Sequence, residues 1–188
     1  TEHYRLSYRL VDIELLTEDG DRTVAVIGEG LWAHLHHLPL WASPNLPLLA
    51  QLKYADVQAG DSLRVLKSYL HRNLAREFQP SAVGAWGMWD ASTWQGRVTA
   101  DQWPIIVNPT HESLTTEWTV LDSRFNLAGE MFTDTLNGAG LLLTVDLWLP
   151  GDRQPFPTHA TLTKPTIVID IVPRAFDSGS TGRPTDVL

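Results

Sequence analysis

One stretch of the chain repeats its leucines at helical spacing, and almost everything apolar downstream of it alternates. Leu63, Leu66, Leu70 and Leu74 recur at intervals of three and four, the period at which side chains line one face of an α-helix. Asp61 or Ser62 stands where a short side-chain oxygen can accept an otherwise unpaired N–H of the first turn. Pro80 stops the pattern. An amphipathic helix is therefore predicted over about 61–78. After Pro80 the period changes from 3.6 to 2, with candidate strands at 82–89, 94–99, 105–107, 113–121, 141–149 and 166–172. Pro109, Gly129, Asn137-Gly138, Pro150-Gly151 and Pro155 punctuate them. Such alternation around a single helix predicts a mainly β fold, an antiparallel β-sandwich or barrel.

Upstream of the helix, Tyr4 to Leu16 and Thr23 to Ile27 are apolar runs around the turn cluster Glu18-Asp-Gly-Asp21. Two such runs about an Asp-Gly step predict a β-hairpin. Gly28 and Gly30 are read as ending its second strand. Residues 28–60 carry Pro39, Pro44 and Pro47 and predict a Pro-rich excursion with at most a short helix at 47–54. Residues 1–174 are then one β-rich domain. The stretch 175–188, AFDSGSTGRPTDVL, lacks apolar periodicity and predicts a flexible tail, or an extended arm that orders against a partner.

Charge and composition narrow the classes of function. The 188 residues contain 14 Lys and Arg against 22 Asp and Glu, a net charge of −8. Nucleic-acid binders need cations in excess to neutralise phosphates, so this balance argues against such a partner. One local basic patch remains, Arg64, Lys67, Arg72 and Arg76 on the helix, all off the leucine stripe; a solvated face is the commoner meaning of such residues. No cysteine is present, which removes disulfides, thiolate catalysis and Cys-ligated metal. No apolar run approaches the roughly 18 residues of a membrane span, and TEHYRLSYRL lacks the apolar core of a signal peptide. The expected location is the cytoplasm, or a particle assembled there.

Aspartate is depleted inside strands because it packs poorly on a pleat, yet Asp12, Asp122, Asp146 and Asp170 sit in apolar strand settings. The alternation offers a reason in a sheet with one wet face. Leu114, Trp118 and Val120 share the parity of Asp122, which would terminate a packed face. Leu141, Leu143, Val145, Leu147 and Leu149 would face a core, leaving Thr144, Asp146 and Trp148 outward. Ile167, Ile169 and Ile171 would face in and Asp170 out, towards solvent or a partner subunit.

Two of these aspartates close a repeated phrase. PTHESLT at 109–115 and PTHATLT at 157–163 match, and in each copy the histidine precedes an aspartate by eleven residues. His-x-[Ser/Thr]-Leu written twice resembles the paired signature of the 2H phosphoesterases. That resemblance implies strand-borne His111 and His159 as general acid and base on a phosphodiester, with Ser113 and Thr161 holding phosphate oxygens. The chain departs from that pattern with Glu112 where an apolar residue is usual. The bland alternative is one structural idiom used twice.

WAHLHHLPLW places His34 and His36 at a His-x-His spacing that, on a strand, puts both imidazoles on one face. It resembles the opening of a cupin metal motif, but residues 38–52 contain no acid to complete it. Eight tryptophans are generous for this length. Trp32, Trp41, Trp86, Trp89 and Trp94 are candidates for an interface, where indoles supply contact area for few rotatable bonds; a carbohydrate-binding platform is the alternative use of the last three. No GxSxG, phosphate-cradling loop, HExxH or dinucleotide fingerprint occurs, and no cofactor is implied. The reading with most support is a non-enzymatic assembly protein that binds protein partners or copies of itself. A capsid decoration or tail protein of a viral or phage particle is an example.

Overall fold

The computed structural model describes residues 7–18, 21–44, 46–78, 102–109, 116–174, 176–178 and 184–186. The elements are β1 (Tyr8–Glu18), β2 (Asp21–Gly30), α1 (Ala33–His36), β3 (Pro39–Leu40), β4 (Asp56–Asp61), α2 (Ser62–Phe78), β5 (Ile105–Val107), β6 (Trp118–Ser123), β7 (Asn126–Leu127), α3 (Ala128–Gly138), β8 (Leu141–Trp148), β9 (Thr166–Pro173), β10 (Phe176–Ser178) and β11 (Pro184–Asp186). A single 3₁₀ turn at Leu48–Ala50 stands where a short helix was expected. The fold is mainly β and its pairings are antiparallel, apart from β5 alongside β9. Among the described residues the strands form two-stranded ribbons and one three-stranded sheet, β5-β9-β8. They do not close into a barrel there. The expected strands at 82–89 and 94–99 lie outside the described residues. The C-terminal stretch pairs β10 with β11.

Helix α2 begins as its sequence predicts. Asp61 Oδ1 accepts from the Arg64 amide at 3.2 Å, and its other oxygen accepts from the Thr116 amide, so one side chain caps the helix and ties it to the approach to β6. Leu63, Leu66, Leu70 and Leu74 are all buried. So is most of the remaining circumference, because β3, β4, β5, β6, β9 and α3 all pack on this helix. Tyr69 shows what that enclosure does. Its hydroxyl sits between the carbonyls of Asp56 on β4 and Leu121 on β6, and burial together with the Asp56 carboxylate holds the phenol well above its ordinary pKa. Tyr69→Phe withdraws the donor from both carbonyls. A loss of about 1–3 kcal/mol is expected, read as a lower urea midpoint with unchanged slope.

Helix α3 is a second helix where the sequence was read as turn material. Ala128, Phe132 and Leu136 are buried at i, i+4 and i+8, but no side chain caps its start at Leu127, so the usual start signal is missing. Gly129 is there for close approach. A Cβ on it would lie 2.9 Å from His36 Nδ1 and 3.3 Å from the Trp32 ring. Gly28 likewise does not end β2, which pairs through it with Leu10 and runs on to its end at Gly30, opposite Tyr8.

The Pro-rich excursion is pinned to the helix. Asn73 accepts from the Trp41 amide at 2.9 Å, and Arg76 donates to the carbonyls of Pro44 and Leu46 while its guanidinium lies 3.8 Å from the Trp41 ring centre. Gln51 closes the loop on Ser43 and Leu46.

In the three-stranded sheet β9 is central, with Val168, Ile169 and Ile171 buried. The expected outward Trp148 is instead buried at the end of β8. The loop at 150–162 folds over it, bringing in Phe156 and Leu162, and the Trp148 indole N–H donates to Arg153 O at 3.1 Å. Strict alternation fails there because a loop covers what would have been the wet face.

Candidate assembly surface

The basic residues of α2 do not form an outward patch. Lys67 is 1% exposed, its Nζ 2.7 Å from Asp170 Oδ1 and 3.2 Å from Asn108 O. Arg72 pairs with buried Asp56 at 2.8 Å, Arg76 is spent on Trp41 and the excursion, and Arg64 alone of the four is exposed. Position on a helical wheel could not reveal this, since elements pack on the side opposite the leucines too. Asp170 thereby finds a reason for its place in a strand other than solvent. It takes a cation from α2 and the Asn108 amide at 2.6 Å.

Of the histidines in these motifs, His34, His36, His37 and His159 are among the described residues. His34 and His36 lie on α1, a helix and not a strand, where residues two apart do not share a face. His36 packs at 5.3 Å on Trp32, and Trp41 packs edge-on at 5.0 Å against Phe125. His159 lies in a turn seven residues before β9, its Nδ1 2.9 Å from Thr158 Oγ1, and Thr161 is exposed coil. The second copy of the repeated phrase is therefore a loop. His111, Ser113, Trp86, Trp89 and Trp94 lie outside the described residues. Among the described residues no cluster of three or more His, Asp or Glu is placed to hold a metal ion. A cleft of about 840 Å³ beside β8 and β9 includes Asn108, Asp146, Asp152 and Asp170 in its lining. Two of those acids are engaged within the chain, Asp152 by the Leu149 amide and Asp170 by Lys67.

Apolar surface is what the structure leaves open, and it is concentrated on two ribbons. In the hairpin, Ile13 stands opposite Val26 and Leu15 opposite Val24. Residues opposite each other, and those two apart, share a face, so these four make one apolar patch, continued at the next rung by Thr17 and Arg22. The other face carries Asp12 opposite Ile27, Glu14 opposite Ala25 and Leu16 opposite Thr23. The hairpin is thus amphipathic, like a strand pair half of a sandwich. Yet Ile13, Leu15, Val24 and Val26 are 58–67% exposed, and among the described residues neither strand packs comparably on any other element. An isolated two-stranded hairpin is marginal in water.

The second ribbon is β4 with β6. Its inward face gives Asp56, Gln58 and Ser123 to the interior. Its outward face stacks three rungs, Val57 opposite Asp122, Ala59 opposite Val120 and Asp61 opposite Trp118. Trp118 and Val120 do share the face of Asp122, as the alternation predicts, but nothing described in this chain packs on them: Trp118 is 75% exposed and Val120 62%. The sequence signal for these faces was present in the alternation. Parity tells which residues share a face, not what covers it.

Seven large apolar side chains lie on these two faces. At roughly 1–2 kcal/mol each for completing their burial, covering both would release on the order of 10 kcal/mol. Association costs about 4–15 kcal/mol, so covering one face alone gives a weak contact and covering both gives a useful one.

None of the described helices is long and apolar enough to cross a membrane. No curated protein matches the chain. A family model does, along nearly its whole length, at residues 1–187, and the chain belongs to the family of Siphovirus ReqiPepy6 Gp37-like proteins.

Proposed function

We propose that this phage-family chain is a non-enzymatic structural subunit, incorporated into the particle through its exposed ribbons. One observation carries the reading. Two apolar ribbon faces, Ile13/Leu15/Val24/Val26 and Val57/Ala59/Trp118/Val120, are covered by nothing described in the chain. Soluble monomers seldom leave apolar patches of this kind open, and where they persist they mark contact surfaces. The polar residues with the strongest interactions, Lys67, Asp170, Arg72 and Asp56, are spent on holding α2 to the strands.

Gradient-purified phage particles, probed with an antibody to the chain, test this. The chain is expected in the particle band and in self-associated form when purified alone by sedimentation. Its absence from washed particles, together with monomeric sedimentation, would remove the reading.

A further inference from the structure

The two open faces match each other. Each is one side of a two-stranded antiparallel ribbon, and each presents three consecutive rungs. At two residues per rung and about 3.3 Å per residue, both run about 13 Å from first rung to last. On the hairpin the rungs are Ile13/Val26, Leu15/Val24 and Thr17/Arg22: two apolar rungs and then a cation. On the receiving ribbon an apolar centre, Ala59/Val120, is flanked by two rungs that each pair an apolar side chain with an acid, Val57/Asp122 and Asp61/Trp118. Laid face to face, Leu15/Val24 covers Ala59/Val120, and Arg22 reaches the exposed Asp122 when its rung lies over Val57/Asp122; Ile13/Val26 then lies over Trp118 and Asp61, whose two oxygens the Arg64 and Thr116 amides already hold. Charge complementarity of this kind sets register. Both faces are open within the same molecule, so the hairpin does not serve its own ribbon.

Resting on the structural-subunit reading, we propose that the β1–β2 hairpin of one copy docks its Ile13/Leu15/Val24/Val26 face on the Val57/Ala59/Trp118/Val120 face of a second copy. The patches are different surfaces, so the contact is head-to-tail. Eight side chains at on the order of 100 Å² each bury roughly 800 Å², short of the roughly 1,200 Å² at which stable interfaces begin. A copy that both gives its hairpin and receives another's has two such contacts and exceeds it. The area therefore favours assemblies in which copies both give and receive, by mutual exchange, in a closed ring or in an open head-to-tail chain, over an isolated one-sided dimer.

The absence of cysteine from the chain makes the test clean. Val24→Cys is made in one preparation and Val120→Cys in a second that carries a size tag; both sites are exposed, so folding is spared. The two are mixed, treated with a short thiol-to-thiol bismaleimide that spans the roughly 10 Å between face-packed sheets, and resolved on a denaturing gel. A tagged–untagged crosslinked dimer is expected at several times the yield given by Glu14→Cys, on the opposite hairpin face, mixed with the same Val120→Cys partner. Equal yields overturn the pairing. So does a dominant Val24→Cys homodimer, which would mean that hairpins meet hairpins. A fast-migrating, internally linked monomer from the double variant would show the chain covering its own face and also overturn it. If the chain enters particles or self-associates without this crosslink, only the pairing falls. If it does neither, the structural reading beneath falls as well.

Discussion

Asp170→Ala is expected to destabilise the protein by about 3–5 kcal/mol, the usual cost of removing one partner from a buried ion pair. At roughly 2–4 °C per kcal/mol for a chain of this size, the melting temperature drops by about 10 °C. The reason is asymmetric burial. The Lys67 side chain is 2% exposed and that of Asp170 21%. Without Asp170 the ammonium stays deep among α2, β5 and β9 and loses the carboxylate 2.7 Å away. Lys67→Met should cost less, because the carboxylate left behind keeps the Asn108 amide and the Ile171 backbone N–H and reaches some water. The double variant, with neither charge, should lie closer to wild type than Asp170→Ala does. Urea denaturation of the four proteins at pH 7 measures this. Equal losses from the two single variants, or strict additivity in the double, would mean that the pair does not act as a buried unit.

That ion pair also marks where reading the sequence stops. The leucine stripe of α2 and the Asp-Gly hairpin were legible because each is a local repeat with a local punctuation mark, and both stand nearly where expected. Helix α3 was illegible because its one conspicuous residue, Gly129, is a glycine for the sake of a neighbour ninety-odd residues upstream, His36. Local rules assign it to a turn. Lys67 and Arg72 looked like surface residues because a helical wheel knows one buried stripe, while α2 is enclosed on nearly every side. Trp148 was assigned outward for the same reason, since strand parity does not know that a loop will return over it. The apolar faces of the two ribbons fall between these cases. Alternation identified the members of the β6 face, Trp118 and Val120 with Asp122, and read the face as packed, whereas nothing described in the chain covers it; parity does not say what lies over a face. His34 and His36 would share a face on a strand and do not on α1, and the second copy of the repeated heptapeptide is a turn.

Acid should weaken this fold in a way that one residue controls. His71 lies one turn beyond Lys67 on α2, 6% exposed and stacked at 5.6 Å on Trp103. Burial pushes its imidazole down to a pKa of about 3, against about 6.5 in an unfolded chain. Above pH 6.5 the ring is neutral in both states and its protonation contributes nothing to the pH dependence. Between pH 6.5 and 3 the unfolded chain takes up a proton that the native state refuses, so stability falls as pH falls, at up to about 1.4 kcal/mol per unit. Below pH 3 the native ring protonates too and this loss levels off, having reached on the order of 4–5 kcal/mol. Carboxylates titrate over part of the same window, which is why the informative quantity is a difference. His71→Phe keeps a flat ring against Trp103 and cannot protonate, while every carboxylate in the chain remains. Between pH 7 and pH 4 wild type is expected to lose about 3 kcal/mol more than His71→Phe in urea denaturation. Parallel losses in the two proteins would assign the acid sensitivity to the carboxylates and show that His71 takes up its proton without unfolding the chain.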